Sequence, residues 1–238
     1  MDNIKSALEY AVELAAPEIY EIGDETFSSK QLYRVDGEKE HLVSPLEITT
    51  LTGFIDYIIA NVDGLDLSET LIVIDDEACV SLISVPNKDR RREGYMRAVA
   101  VVPSHEWGYW TGNEKFIIGL QAMFAESPDR ETLMKYVGNI QEDEAVHLMD
   151  DGVSQKIATK AGVANVANVI LPNPVVLRPY RTFQEIEQVE SKFIFRVRKG
   201  GECALFEADG GEWTIRCRRA IKDYLKEKLE GVSVVIIG

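Results

Sequence analysis

Histidine, cysteine and basic residues are the scarce chemistry of this chain. The three histidines, His41, His105 and His147, include no two within 40 residues of one another. That excludes the closely spaced imidazole pairs of common zinc motifs and leaves surface or core roles as the simpler reading. Cys79, Cys203 and Cys217 are odd in number, widely spaced and set in apolar or mixed segments. They form neither a disulfide framework nor a C-x-x-C pair, and reduced structural thiols are expected. Long apolar runs are missing too, so no membrane span of about 20 residues is expected. The opening MDNIKSALEYAVELAAPEIY is broken by acids, which argues against a signal peptide. No phosphate-binding glycine loop, dinucleotide fingerprint, nucleophile elbow or H-E-x-x-H stands anywhere in the chain, and there is no internal repeat. These absences specify no enzyme class and no cofactor.

The shortage of positive charge is the most restrictive. Lys and Arg number 26 against 40 Asp and Glu, a formal net charge of -14. A general nucleic-acid coat needs dense cations and is disfavoured. The charge is uneven, however. Residues 41–86 carry eight acids and no Lys or Arg, whereas residues 178–238 carry twelve basic residues against ten acids. An acidic body with a mildly basic end can bind an anion through that end or dock on an acidic surface of its own oligomer.

The 238 residues, 45% hydrophobic and 28% charged, suffice for a sizeable core, and at this length about 70% of the extended-chain surface is buried on folding. The patterning predicts an α+β fold with mainly antiparallel sheet, covering helices and room for mixed topology. Residues 1–238 are read as a single compact domain, with 126–142 as the place where a subdomain boundary would fall. SALEYAVELA spaces Leu8, Ala11, Val12 and Ala15 helically, and PEIYEIG reads as a strand after Pro17; residues 22–46 read as a hairpin or surface excursion. A helix over TLTGFIDYIIANV has Thr49 or Thr50 as cap, Leu51, Phe54, Ile55, Ile58 and Ile59 as apolar face, and Asp63-Gly64 as stop. TLIVID, ACVSLISVP and YMRAVAVVP then form an antiparallel meander that turns first at Asp75-Asp76-Glu77.

Two further helices follow, one with Phe116, Ile117, Leu120 and Met123 or Phe124 on a face, the other opened by Ser127-Pro128-Asp129. Between Glu142 and Val169 a hairpin turned at Asp151-Gly152 is preferred over helical pieces. The three prolines in LPNPVVLRP predict an extended or edge segment. FIFRVRKGGECALFEADGG predicts a hairpin turned at Gly200-Gly201. Ile221, Tyr224, Leu225 and Leu229 mark a last helix, and VSVVII a closing strand that pairs within a sheet or with another subunit.

Two kinds of residue are candidates for function. Arg90, Arg91 and Arg92 form the densest basic run. Arg178, Arg181, Arg196, Arg198 and Lys199 converge if the proline-rich segment packs beside its following strand, and guanidinium forks match phosphate and carboxylate oxygens. Salt bridges to the acidic body are the competing account. Trp107 and Trp110, with Tyr95 and Tyr109, offer stacking on bases or helix-entry packing. Asp75, Asp76, Asp150, Asp151 and Glu190 are the carboxylates available to a divalent metal, and they fit turns equally well.

TLTGFIDYIIANVDG, FIIGLQAMF, DDGVSQKI, LPNPVVLRPYRTFQEIEQVESKFIFRVR and ALFEADGGEW stand here in series. Together they resemble an uncharacterised family of phage and prophage proteins often called YfdQ-like, over roughly residues 47–238. The resemblance implies a viral or prophage origin and a cytoplasmic role in the infected or lysogenic host, with no catalytic residues to carry over. The expectation is a non-enzymatic accessory protein that binds a nucleic acid, a nucleotide or a host protein and associates with itself. A structural homo-oligomer and a metal-dependent nuclease or phosphodiesterase are the alternatives.

Overall fold

A computed structural model of the protein describes residues 4–7, 10–11, 16–22, 25–29, 44–88, 90–140, 147–150, 155–158, 173–198 and 200–238. The chain divides into two units, Met1–Leu42 and Val43–Gly238. In the first, residues 4–7 and 10–11 are helical. Strand β1 (Ile19–Ile22) pairs antiparallel with β2 (Glu25–Ser28), and reciprocal bonds between Glu18 and Ser29 close the hairpin. Leu8, Val12 and Ala15 of the expected first helix lie outside the described residues, as does the QLYRV and HLV part of the expected excursion.

The second unit holds the two hydrophobic cores. A five-stranded sheet has the order β12-β4-β5-β6-β3, where β3 is Leu46–Ile48, β4 Thr70–Ile74, β5 Cys79–Ser84, β6 Gly94–Val99 and β12 Val235–Ile237. The meander β4-β5-β6 is antiparallel as its sequence predicts, while β3 on β6 and β12 on β4 are parallel. The fold is α+β with a mixed larger sheet. Helix α1 (Leu51–Ala60) buries Leu51, Phe54, Ile55 and Ile58, and with Cys217, Ile221 and Leu225 of the last helix they cover Ile72, Val80, Leu82 and Met96 of the sheet.

Thr50 caps α1 by accepting from the Gly53 N–H at 3.2 Å. Two details of this helix differ from the sequence reading. Ile59 is 59% exposed, because it sits one residue past Ile58 and so points about 100° away from it. The stop is Asn61 and not Asp63-Gly64: Asn61 takes the left-handed conformation (φ 44°) and its side-chain amide clamps the Leu65 backbone on both sides. Asparagine tolerates that conformation through such local bonds. Asp63 instead accepts from the Tyr57 hydroxyl at 2.6 Å.

The smaller sheet is antiparallel in the order β11-β10-β9, with β9 Val175–Leu177, β10 Ser191–Arg198 and β11 Glu202–Glu207. Gly200 and Gly201, both at positive φ, turn the chain from β10 into β11. Phe193, Phe195 and Val197 alternate inward onto helices α2 (Asn113–Met123) and α3 (Pro128–Gly138), which bring Leu120, Leu133 and Val137 to a second core. Ser127 caps α3 from its hydroxyl, with Pro128 in the first turn. Asp129 of that turn accepts the Val176 N–H at 2.7 Å, tying α3 to the edge strand β9.

A separate hairpin pairs β7 (His147–Asp150) with β8 (Gln155–Ala158), Asp150 opposite Gln155; the expected turn residues Asp151 and Gly152 lie outside the described residues, as does Gly162. Helix α4 (Glu212–Lys228) returns the chain to β12, which pairs within the sheet. All three cysteines are free and buried, and burial pushes the Cys203 thiol up to about 12, as suits a packed thiol and not a nucleophile. Among the described residues no helix is long and apolar enough to cross a membrane.

Thr50→Ala removes a cap and should lower stability by about 1 kcal/mol; Phe54→Ala, fully buried, should cost about 3–5 kcal/mol. Urea denaturation followed by circular dichroism checks both, and the order of the two losses is the outcome that matters.

Candidate functional site

The expected basic set separates according to which elements carry its members. The segment Arg178–Phe183 leaves β9 and is pinned by backbone bonds from Ala125 to Arg178 and from Tyr180 to Met123. This drives Arg181 into the interior, where its side chain is 8% exposed. Its guanidinium meets the Glu207 carboxylate at 2.5 Å and the Ser191 hydroxyl at 3.4 Å. Trp213 lies 4.3 Å from it, Trp107 5.0 Å and Phe193 5.5 Å, measured to ring centroids. Trp213 packs on the first core, while Trp107 and Phe193 belong to the second. Arg181 and Trp107 therefore do come together, but as an internal clamp. Burial pulls the Arg181 pKa down, against the attraction of Glu207.

Arg178 is also spent internally. It bonds Glu190 through two nitrogens, at 2.7 and 3.1 Å, and Glu187 through the third at 2.7 Å. Arg90, Arg91 and Arg92 stand on the β5–β6 loop of the other sheet. Arg90 takes a left-handed conformation (φ 57°), Asn87 brackets Arg91, and Arg92 donates to the Ser84 carbonyl at 3.0 Å. The run is a tight turn with side chains in solvent, and the described contacts do not bring it to the other arginines. Lys199 lies outside the described residues.

Arg196, Arg198 and Trp110 share the outer face of the three-stranded sheet. Alternation along β10 turns Lys192, Ile194, Arg196 and Arg198 away from the core, opposite Val176, Phe206, Ala204 and Glu202 on the neighbouring strands. Residues 108–111 extend this face, because Gly108 and Thr111 bond to Leu205 and Cys203 of β11. Gly108 is required there: its φ is +76°, and a Cβ would stand 3.4 Å from the Phe206 ring. Trp110 meets Phe206 edge-on at 6.3 Å, and the Arg198 guanidinium lies 4.7 Å over Trp110. Arg198 also pairs with Glu202 at 2.6 Å, and Arg196 donates to the Phe195 carbonyl. Along the paired strands the face sets Lys192, Arg196 and Arg198 against Glu202, with two rings among them; at its Lys192 end Glu190, Asp209, Glu212 and Arg216 line the adjoining hollow. The sequence reading missed Lys192, Ile194 and Phe206, although the alternation that exposes Arg196 and Arg198 also exposes them.

Asp75, Asp76, Glu77 and Glu190 serve local structure. Asp75 accepts from the Ser81 hydroxyl, Asp76 from the Ala78 N–H, and Glu77 pairs with Arg218 at 3.0 Å. Glu190 is held by Arg178. Asp151 lies outside the described residues. Among the described residues no three His, Cys, Asp or Glu side chains gather as metal ligands would. Beside the clamp, His105 stacks on Trp107 at 4.9 Å and bonds the Tyr180 carbonyl through Nε2 at 2.9 Å. That arrangement places the proton on Nε2 and leaves Nδ1 buried without a partner. Burial lowers the His105 pKa, and Arg181 lowers it further, while the Tyr180 bond works in the opposite direction.

No protein-family model matches the chain, and neither a curated protein nor a solved structure matches it.

Arg181→Ala leaves Glu207 unpaired and empties the space between two indoles, so it should cost on the order of 3 kcal/mol. Arg181→Lys should recover only part of that, since an ammonium lacks the planar stacking surface; thermal and urea unfolding give both values. The folded-state pKa of His105 lies below its unfolded value near 6.5, so the unfolded chain binds the proton first as pH falls. Stability from this group is full above about pH 6.5 and declines below it, down through the folded pKa. The slope of unfolding free energy against pH just below 6.5 should therefore flatten in His105→Gln.

Proposed function

We propose that this chain is a non-catalytic accessory protein of a phage or prophage, acting in the cytoplasm of the infected or lysogenic host, and that it holds single-stranded nucleic acid on the outer face of the β9–β11 sheet. One observation carries the reading: Lys192, Arg196 and Arg198 project on the same side of β10, beside Trp110 and Phe206. A row of cations for phosphates, interleaved with rings for bases, is the composition by which sheet faces hold unpaired strands. The ordered segments that resemble phage and prophage proteins support the setting.

Charge pairing sorts the arginines in the same direction. The Arg198–Glu202 pair is half exposed, and such pairs contribute only about 0–1 kcal/mol, so a phosphate can displace Glu202. Arg181 has no such freedom. The net charge of -14 disfavours a rigid duplex, whose second strand would meet acidic surface.

A second reading, self-association, is favoured by the free edge of β12, which has β4 on one side and no strand on the other among the described residues. Val235 and Ile237 are 55% and 43% exposed there.

Fluorescence anisotropy with labelled oligothymidine tests the main reading. Binding should weaken with salt at a log–log slope of about -2, as three phosphate contacts on a single strand require. Arg196→Ala should reduce that slope by about 0.7, and Trp110→Ala should weaken binding by about 1–3 kcal/mol. No binding at low salt removes the reading, and a dimeric native mass under the same conditions moves the weight to self-association.

A further inference from the structure

The opposite side of residues 104–111 lines a pocket that none of the arginines enters. Trp107 and Tyr109 form one wall and Phe116 and Gly119 of α2 the other, enclosing about 230 Å³. Pockets for drug-sized ligands are roughly 300–1,000 Å³, so this smaller space suits a single planar ring system of one or two fused rings. Gly119 keeps it open. A glycine within a helix is disfavoured, and here a Cβ would stand 3.1 Å from the Met123 Cε; any larger side chain grows into the same wall.

Lys115 and Glu106 also line the pocket, both exposed. Neither side chain makes an ion pair or hydrogen bond with another described residue. Their opposite charges select among flat ligands. A nucleotide would bring its phosphate toward Glu106 as well as Lys115, on a protein already strongly negative. A neutral ring would leave both charges unused.

We propose that this pocket binds a compact aromatic zwitterion of the amino-acid kind, its ring against Trp107 and Phe116, its carboxylate on Lys115 and its ammonium on Glu106. The inference is independent of nucleic-acid binding, which uses the other face of the same segment.

Titration calorimetry and thermal shift on the full chain, with L-tryptophan, tryptamine, indole-3-acetate and indole as probes, test it. L-tryptophan should bind about two- to fivefold tighter than tryptamine or indole-3-acetate, and tighter still than indole, the fold-change expected from exposed ion pairs. Lys115→Ala should erase its advantage over tryptamine, and Glu106→Gln its advantage over indole-3-acetate. Gly119→Leu should abolish binding of all four; should that variant not fold, the two surface variants carry the test. The proposal is overturned if no probe binds at millimolar concentration, if indole binds as tightly as L-tryptophan, or if the two charge variants keep the parent's preferences.

Discussion

The Arg181 guanidinium is the contact on which the second unit turns. Its neighbours come from four elements: Trp107 before α2, Phe193 on β10, Glu207 at the end of β11 and Trp213 at the start of α4. A buried cation costs several kcal/mol in lost hydration and is tolerated only where a carboxylate and hydrogen bonds compensate it. Glu207 and Ser191 supply those, and the ring faces supply a further electrostatic attraction. The result is a joint between two apolar cores that hydrophobic contact alone would leave free to slide, since greasy surfaces have little preference for register. Directional bonds at the seam fix one arrangement.

That joint also explains why sequence reasoning found the elements more readily than the site. Caps and faces are local: Thr50 and Ser127 announce their helices within four residues, and the alternation of Phe193, Phe195 and Val197 announces a strand with one side buried. The parallel pairing of β3 and β12 is not local, because nothing in three apolar residues says which neighbour they choose. The arginines divide on the same principle. Arg178 and Arg181 stand three residues apart near a strand end, and their charges look equally available until Glu190 and Glu207 arrive from 12 and 26 residues further on. Arg196 and Arg198 stay outward because the period of the strand leaves them no choice. Trp107 and Trp110 behave likewise: three positions apart in an extended run they take opposite faces, one to the clamp and one to the surface.

On an acidic protein a small cationic face stands out by contrast. The acids of residues 41–86 surround the larger sheet and its helix, while Lys192, Arg196 and Arg198 lie on the smaller one. Arg90, Arg91 and Arg92 form a second exposed basic run on the β5–β6 loop, and at ordinary salt an approaching ion senses only charges within about 8–10 Å.

The bond from the Asp129 carboxylate to the Val176 N–H has a meaning beyond fastening a helix to a strand. Val176 lies on the outermost strand of its sheet, where a bare amide invites another chain to extend the ladder. Asp129 occupies that amide with a negative charge, and the far side of the sheet is sealed by residues 108–111 on β11. Both margins of the small sheet thus carry bonds to other parts of the chain, from Asp129 on β9 and from residues 108–111 on β11. A single carboxylate in the first turn of a helix thus leaves the edge strand one bare amide fewer for another chain to pair with.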